Sequence, residues 1–457
     1  MKNGHDADTS APPTLVAGSP IPEDAAHPKA DPDFHLQARR ALRESSLAVL
    51  IFLLLSWAAT EGRLGWFSDT LADAQDKAYD ALAKLENNFV SPLAPPPGTP
   101  QVIFVDIDEA SVNTFNPGLY LFHRGLLADL VQKLSATHPR AIYIDLNLSM
   151  ASQEPDLTRH GAARFPRSKG DQALYGLLTA PHDFPILLSQ PALFGEPLAR
   201  LGGALCWVTP EVITDSGDTV RRIPRRWQDG PYPAAEALFQ AAQPGGFHCP
   251  KAQHAGEVPK NVYRTALYGE PIIFHRIPAA NEAEYGWPGV SVIRAGDLLG
   301  PADLRPEAGT VVVIGRTDAG SQDLHNSTVG NVPGVELHLN ALMTLLLYHH
   351  GVQAVHPLLS AGLAFLVMLL AILGAPLLSA FLTRQLERLG LKQKIGDLFE
   401  HPILWGLLYL AAFVAYRYTG RFLDFALPIL SLEFSRLILS HQTNKLVRKT
   451  LKMAKVL

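Results

Sequence analysis

The sequence predicts an α/β domain with a mostly parallel sheet covered by helices, carried by four transmembrane α-helices. Three observations lead there. Apolar runs such as QVIFVDID, RAIYIDLNLS and VVVIG are short, β-branched and uninterrupted, as strands buried on both faces are. Helical patterns alternate with them, as crossover connections in parallel sheets require. Longer apolar runs cluster at the two ends of the 457-residue chain.

Composition agrees. Hydrophobic residues reach 47% and charged residues only 18%, and the mean hydropathy is +0.08. A chain with so little charge points to membrane segments. The net charge of −4 gives no indication of a basic surface for nucleic acid.

Residues 1–38 are rich in Ala, Pro, Asp and His and lack apolar periodicity, so they read as a disordered tail. LAVLIFLLLSWAA follows Arg39, Arg40 and Arg43, and with its flanks (45–67) it reaches the length of about 20 residues that a span needs. A cleaved signal peptide is the rival reading, but the long polar tail ahead favours an uncleaved anchor. Three further spans are expected at 358–382, 401–418 and 422–441. Glu433 and Arg436 interrupt the last, and they either pair along the helix or meet a partner membrane protein.

Basic flanks set the orientation. Arg39 to Arg43, the loop with Arg384, Arg388, Lys392 and Lys394, and the tail 442–457 with Lys445, Arg448 and Lys449 fall on one side of four spans. That side is cytoplasmic, so both termini are cytoplasmic. The turn YRYTGRFLD, with Arg417 and Arg421, is the exception and faces outward. Residues 68–355 then form a domain outside the cytoplasm, periplasmic in a bacterial inner membrane. Cys206 and Cys249, the two cysteines of the chain, become a disulfide candidate there; two separate buried thiols are the alternative.

Within the domain, LYLFHRGLLADLVQKL, KGDQALYGLLTA and PYPAAEALFQAA read as helices, and FPILLSQ and EPIIFHR as strands. ALCWVTPEVITDSGDTVRRIP reads as two short strands around a turn at Asp215 to Asp218. PGVELHLNALMTLLLYHH reads as a closing helix, with Val335, Leu339, Leu342 and Leu346 on one face.

Asp106, Asp108 and Asp145 end strands, and Asp323 and His325 follow another. Ligands of open parallel sheets bind beyond the carboxyl ends of strands, so these groups could line one crevice for a cation or an amine. Structural roles compete. Asp108 suits a helix N-cap, and Asp106 and Asp145 could satisfy backbone donors or pair with Arg124 or Arg140. Gly315 and Gly320 meet neither phosphate-loop pattern and are expected to serve a tight turn with positive φ. His325, His338, His349 and His350 lack metal spacing; no metal, cofactor or catalytic motif is apparent.

These pieces resemble the type-two CHASE domain, an extracellular sensory module of bacterial cyclases, histidine kinases and serine/threonine kinases. The resemblance rests on IFVDIDEAS (Ile103 to Ser111), Arg124 in FHRGLLADLV, AIYIDLNLS, GDTVRRIP, and VVVIGRTDAGSQD followed by VPGVELHLNAL. It implies a helix starting at Arg124 and a histidine, His338, near the start of the closing helix. One span before the domain and three after also fit. The family's Trp-Pro pair is replaced by GLYLFHR, and no enzyme domain is expected after the basic tail. The expectation is a non-enzymatic inner-membrane sensor or adaptor that senses a ligand or envelope partner and acts on a separately encoded effector. Asp106, Asp108, Asp145, Arg124, Asp323 and His338 are its ligand-binding candidates. The alternative is a scaffold subunit of an envelope complex. Membrane lipid, a signalling or envelope protein, and a homo- or hetero-oligomer are the expected partners.

Overall fold

The computed structural model describes residues 66–115, 122–151, 168–201, 204–214, 218–224, 231–249, 269–275, 287–301, 306–321, 323–350, 353–354 and 396–422, with isolated positions elsewhere. The tails 1–38 and 442–457, most of the expected spans at 45–67, 358–382 and 422–441, and the Glu433/Arg436 pair lie outside the described residues. Among the described residues, no helix is long and apolar enough to cross a membrane.

The elements, in chain order, are α1 (Trp66–Phe89), β1 (Val102–Ile107), α2 (Glu109–Phe115), α3 (Arg124–Ser135), β2 (Ala141–Asp145), α4 (Lys169–Thr179), β3 (Ile186–Leu188), β4 (Leu205–Thr209), β5 (Thr219–Pro224), β6 (Tyr232–Pro233), α5 (Ala234–Ala242), β7 (Gly269–Pro271), β8 (Val290–Arg294), α6 (Ala295–Leu299), β9 (Val311–Arg316), β10 (Leu324–Ser327), β11 (Gly330–Pro333), α7 (Gly334–Tyr348) and α8 (Gly396–Thr419). Among the described residues the main sheet has seven strands in the order β8-β1-β9-β2-β3-β4-β6. Every pair in it is parallel. The expected α/β sheet is therefore present, and its central strands β1, β9, β2 and β3 are buried on both faces.

Alternate residues of each strand feed two cores. Val102, Phe104, Tyr143, Val311 and Val313 pack under α5 and α7. Ile103, Val105, Ile142, Ile144, Val312 and Ile314 pack under α3, α4 and α6. The uninterrupted apolar runs follow from this: neither face is left for water, so no position in the strand interior tolerates an uncompensated polar group.

Two glycines explain how closely the layers approach. A Cβ on Gly315 would lie 2.5 Å from Val335 Cγ2, so α7 sits directly on β9. A Cβ on Gly170 would lie 2.8 Å from the Gly125 backbone nitrogen, which sets the α3–α4 contact. Gly315 and Gly320 are absent from the positive-φ residues. The expected left-handed turn is thus corrected: Gly315 is required by space, not by φ.

Three parts depart from the sequence reading. The 24-residue helix α1 fills the stretch between the expected first span and β1. Its polar residues are used: Arg221 Nε of β5 pairs with Asp80 at 2.7 Å, and Arg222 pairs with Asp76 at 2.6 Å. The arginines of the GDTVRRIP motif therefore fasten α1 to the second sheet. That sheet runs β7-β5-β10-β11. The expected two strands around Asp215–Asp218 are present, Ile213–Thr214 pairing antiparallel with β5, but Leu205–Thr209 ahead of them is a separate strand that joins the main sheet. The loop after Gly320 contains an antiparallel hairpin, β10–β11.

Cys206 and Cys249 form a disulfide with a Cα–Cα distance of 5.6 Å. The expected span at 401–418 falls inside α8, whose last turns pack on the domain. Tyr409 Oη donates to the Ala81 carbonyl at 2.9 Å, and the Tyr416 ring meets Tyr79 edge-on at 5.6 Å.

Candidate functional site

The chain crosses from β1 through α3 to β2, leaving a gap that β9 later fills. At such a switch point the loops beyond the strand ends diverge and open a crevice. A cavity of about 640 Å³ lies there, beyond the carboxyl ends of β9, β2, β3 and β4. β2 and its following loop supply Asp145 and Asn147, β9 supplies Arg316, and Glu211 closes the β4 side. Arg124 enters from the start of α3, and His338 from the first turns of α7. Asp323 and His325 enter from the hairpin.

Arg124 is 3% exposed. Its Nη2 donates to the Asn147 carbonyl at 2.7 Å, and Nε lies 3.9 Å from Asp171 Oδ1. Burial lowers its pKa to about 10, with Asp171 opposing. Arg316 is held by Asp318 through two hydrogen bonds of 2.7 Å, and Asp318 also accepts the Gly320 N–H at 3.1 Å. The glycine-bearing loop is therefore shaped by an internal ion pair.

Asp145 Oδ1 accepts from the Tyr143 hydroxyl at 2.8 Å. Burial raises its pKa, with the nearby His338 opposing. His338 is 3% exposed and meets the Tyr143 ring edge-on at 5.7 Å. Burial lowers its pKa, against the pull of Asp145 and Asp323. Asp323 and His325 pair at 2.9 Å. That hydrogen bond lowers the carboxyl and raises the imidazole. A Cβ on Gly334 would lie 2.2 Å from Asp323 Oδ2, so the carboxylate rests against the start of α7, where the helix dipole favours negative charge.

Four of the six candidates thus meet in one cavity: Arg124, Asp145, Asp323 and His338. Asp106 and Asp108 do not line it. Asp108 caps α2, accepting the Ser111 N–H at 2.8 Å, and lies 3.3 Å from Arg294 Nε. Asp106 accepts from the Thr317 hydroxyl at 2.6 Å. Neither Asp106 nor Asp145 pairs with Arg124 or Arg140, because Arg124 is used by Asn147 and Asp171 and Arg140 donates to the Ala242 carbonyl at 2.7 Å. Arg316, Glu211 and Asn147 escaped the sequence reading; the position of each just past a strand end was the available signal. No group of three or more His, Cys, Asp or Glu that could hold a metal occurs among the described residues.

Asp106 is 4% exposed, and burial raises its pKa from 3.8 to about 6. A raised carboxyl contributes stability in full below 3.8 and loses it as pH rises through about 6. Asp106→Asn keeps an acceptor for Thr317 and removes the ionisation. It is expected to be more stable than the parent at pH 7.5 by up to about 3 kcal/mol. The gap should close near pH 3.5, as read from urea unfolding midpoints at both pH values. A gap independent of pH would refute the assignment.

A second feature begins on the same helix. Two residues beyond His338, Asn340 Oδ1 accepts the His275 backbone N–H at 2.7 Å and the Trp287 indole N–H at 2.9 Å. His275 Nε2 lies 3.7 Å from Glu86 Oε1 of α1, and Glu86 Oε1 accepts from Arg417 Nη1 of α8 at 3.2 Å. Arg417 also donates to the Ser91 carbonyl at 2.9 Å, and Tyr348 Oη donates to the Arg417 carbonyl at 2.6 Å. Asn340, Glu86, His275 and Arg417 are exposed by 0, 1, 2 and 8%.

An open parallel sheet with a polar cavity beyond the carboxyl ends of its strands defines an α/β domain of the kind whose crevices bind ligands. The family comparison agrees: the CHASE2 domain model matches residues 47–376, and the chain belongs to that family of extracellular sensory domains. No curated protein and no solved structure matches the chain.

Proposed function

We propose that the chain is an inner-membrane sensor whose extracytoplasmic domain binds a small ligand in the switch-point cavity. Helices at 45–67, 358–382, 401–418 and 422–441 pass the change to a separately encoded effector. The observation that carries this reading is α7. It presents His338 to the cavity and Asn340 to the buried chain of contacts ending at Arg417 of α8. A ligand that shifts α7 therefore acts on α8 through groups that cannot move independently.

The topology inferred from charge supports the same arrangement. Arg417 and Arg421 are the basic residues expected on the non-cytoplasmic side, and the charge of Arg417 is answered by Glu86 inside the domain. The basic tail 442–457 is left to bind anionic lipid or the effector. The reading assigns no reaction to the chain itself. The scaffold alternative draws on Arg124 and Arg316, whose charges are already met by internal aspartates.

The test is recovery of the native membrane complex with Asn340→Leu as the comparison. Copurification of a cyclase or kinase whose activity changes in the variant is the expected result. A stoichiometric, non-enzymatic envelope protein, unaffected by the substitution, would favour the scaffold and overturn the sensor.

A further inference from the structure

The cavity's ionisable groups do not balance. Arg124 and Arg316 are answered by Asp171 and Asp318, which lie outside the lining. Asp323 is answered by His325. Asp145 and Glu211 remain, and neither has a basic side chain within ion-pair distance among the described residues. The hydrogen bond to Asp145 comes from a neutral hydroxyl. His338 is 3% exposed, lines the same space, and makes no hydrogen bond among the described residues. The unused capacity is therefore acidic and hydrogen-bond accepting.

This pattern favours a cation over an anion: burial raises the Asp145 pKa, and a positive charge beside it is what would hold it ionised. Among the described residues it also lacks the clustered ligands of a metal. Phe122, Leu146, Val212 and Leu337 add apolar wall to the same cavity. We propose that the cavity takes a small organic amine in its protonated form, its N–H groups donating to Asp145 and His338 and its charge answered by Asp145 and Glu211. The aliphatic body packs on the apolar wall. A primary ammonium has three donors, which suits several separate acceptors. Burial holds the His338 imidazole below its ordinary pKa, which favours the neutral form that can accept. Because His338 stands on α7, the amine would bind directly to the relay helix. The proposal rests on the sensor reading and gives its ligand a chemical class.

Thermal unfolding of the full chain in detergent tests it, with propylamine hydrochloride as probe. Tetramethylammonium chloride has the same charge without N–H groups, and sodium propionate is an anion of similar size. Ionic strength is matched throughout. The melting temperature is expected to rise with propylamine concentration. Tetramethylammonium should need at least tenfold more for the same rise, and propionate should give none. Asp145→Asn should weaken the propylamine effect at least tenfold. Glu211→Gln, at an exposed rim position where folding is not at stake, should weaken it at least threefold. Stabilisation by propionate, or by neither ion, or a propylamine effect that survives both substitutions, overturns the amine. If the amine fails while Asn340→Leu still alters the recovered enzyme, the sensor stands without this ligand class. If Asn340→Leu alters nothing, the sensor itself falls.

Discussion

Removing the Cys206–Cys249 bridge is expected to destabilise the domain by about 4 kcal/mol. The bond closes a loop with a sequence separation of 43. In the chain-entropy treatment, a loop of that length restricts the unfolded ensemble by about that amount. The folded state offers little compensation, because Cys206 is fully buried in β4 and the bridge fixes the segment after α5 against it. Both cysteines replaced by alanine is the cleaner variant, since it avoids new thiols. Urea unfolding of parent and variant, each with and without reductant, measures the effect. The parent should lose stability on reduction and the variant should not respond. An identical midpoint for all four samples would mean that the bridge contributes nothing. An oxidising compartment outside the cytoplasm is where such a bond persists.

The parallel sheet was legible because burial on both faces leaves short, β-branched apolar runs, and these alternate with helical patterns. Phe104 and Val105 point to opposite cores and are both fully apolar. The strand order was not legible. β9 is among the last strands in sequence, yet it lies between β1 and β2, and only the three-dimensional crossing rules make that the switch point. For the cavity, strand-end position found Asp145, and the family resemblance found Arg124 and His338. The same rule also selected Asp106 and Asp108, because a carboxylate that caps a helix and one that faces a cavity look alike in sequence. Glu211 follows β4, whose extent was not resolved from the ambiguous strand pair. Helix α1 was missed for a different reason: its acidic positions serve Arg221 and Arg222, which are more than a hundred residues away. The apolar spacing of Ala78, Tyr79, Leu82 and Ala83, all buried, was there to be read as a helix face; the long-range pairing of the acidic positions was not.

Arg417→Met is expected to cost roughly 3–5 kcal/mol, the range for breaking one side of a buried ion pair. The cost does not come from the lost attraction alone. Glu86 is 1% exposed, so its carboxylate would be left in the core with His275 Nε2 at 3.7 Å as its nearest polar neighbour of opposite character. Already in the parent, Glu86 Oε2 and His275 Nε2 have no hydrogen-bond partner. The unpartnered His275 Nε2 is the group left to meet the carboxylate, and at 3.7 Å it is too far for a hydrogen bond that would replace the guanidinium. Adding Glu86→Gln to Arg417→Met should recover a large part of the loss, because the stranded charge is gone and an amide remains to meet His275. That rescue separates the ion pair from packing, which the methionine largely preserves. Unfolding midpoints of the four proteins form a double-mutant cycle. Amide hydrogen exchange at the last turns of α8 supplies the structural readout. Exchange there should accelerate in Arg417→Met, because the bond to the Ser91 carbonyl goes with the guanidinium and the Tyr348 hydroxyl on the residue 417 carbonyl is left to tie that turn to the domain. A loss below about 1 kcal/mol, the level of an exposed pair, with unchanged exchange would show that α8 is not fastened through Glu86. The route from the cavity to the C-terminal helices would then have to run elsewhere.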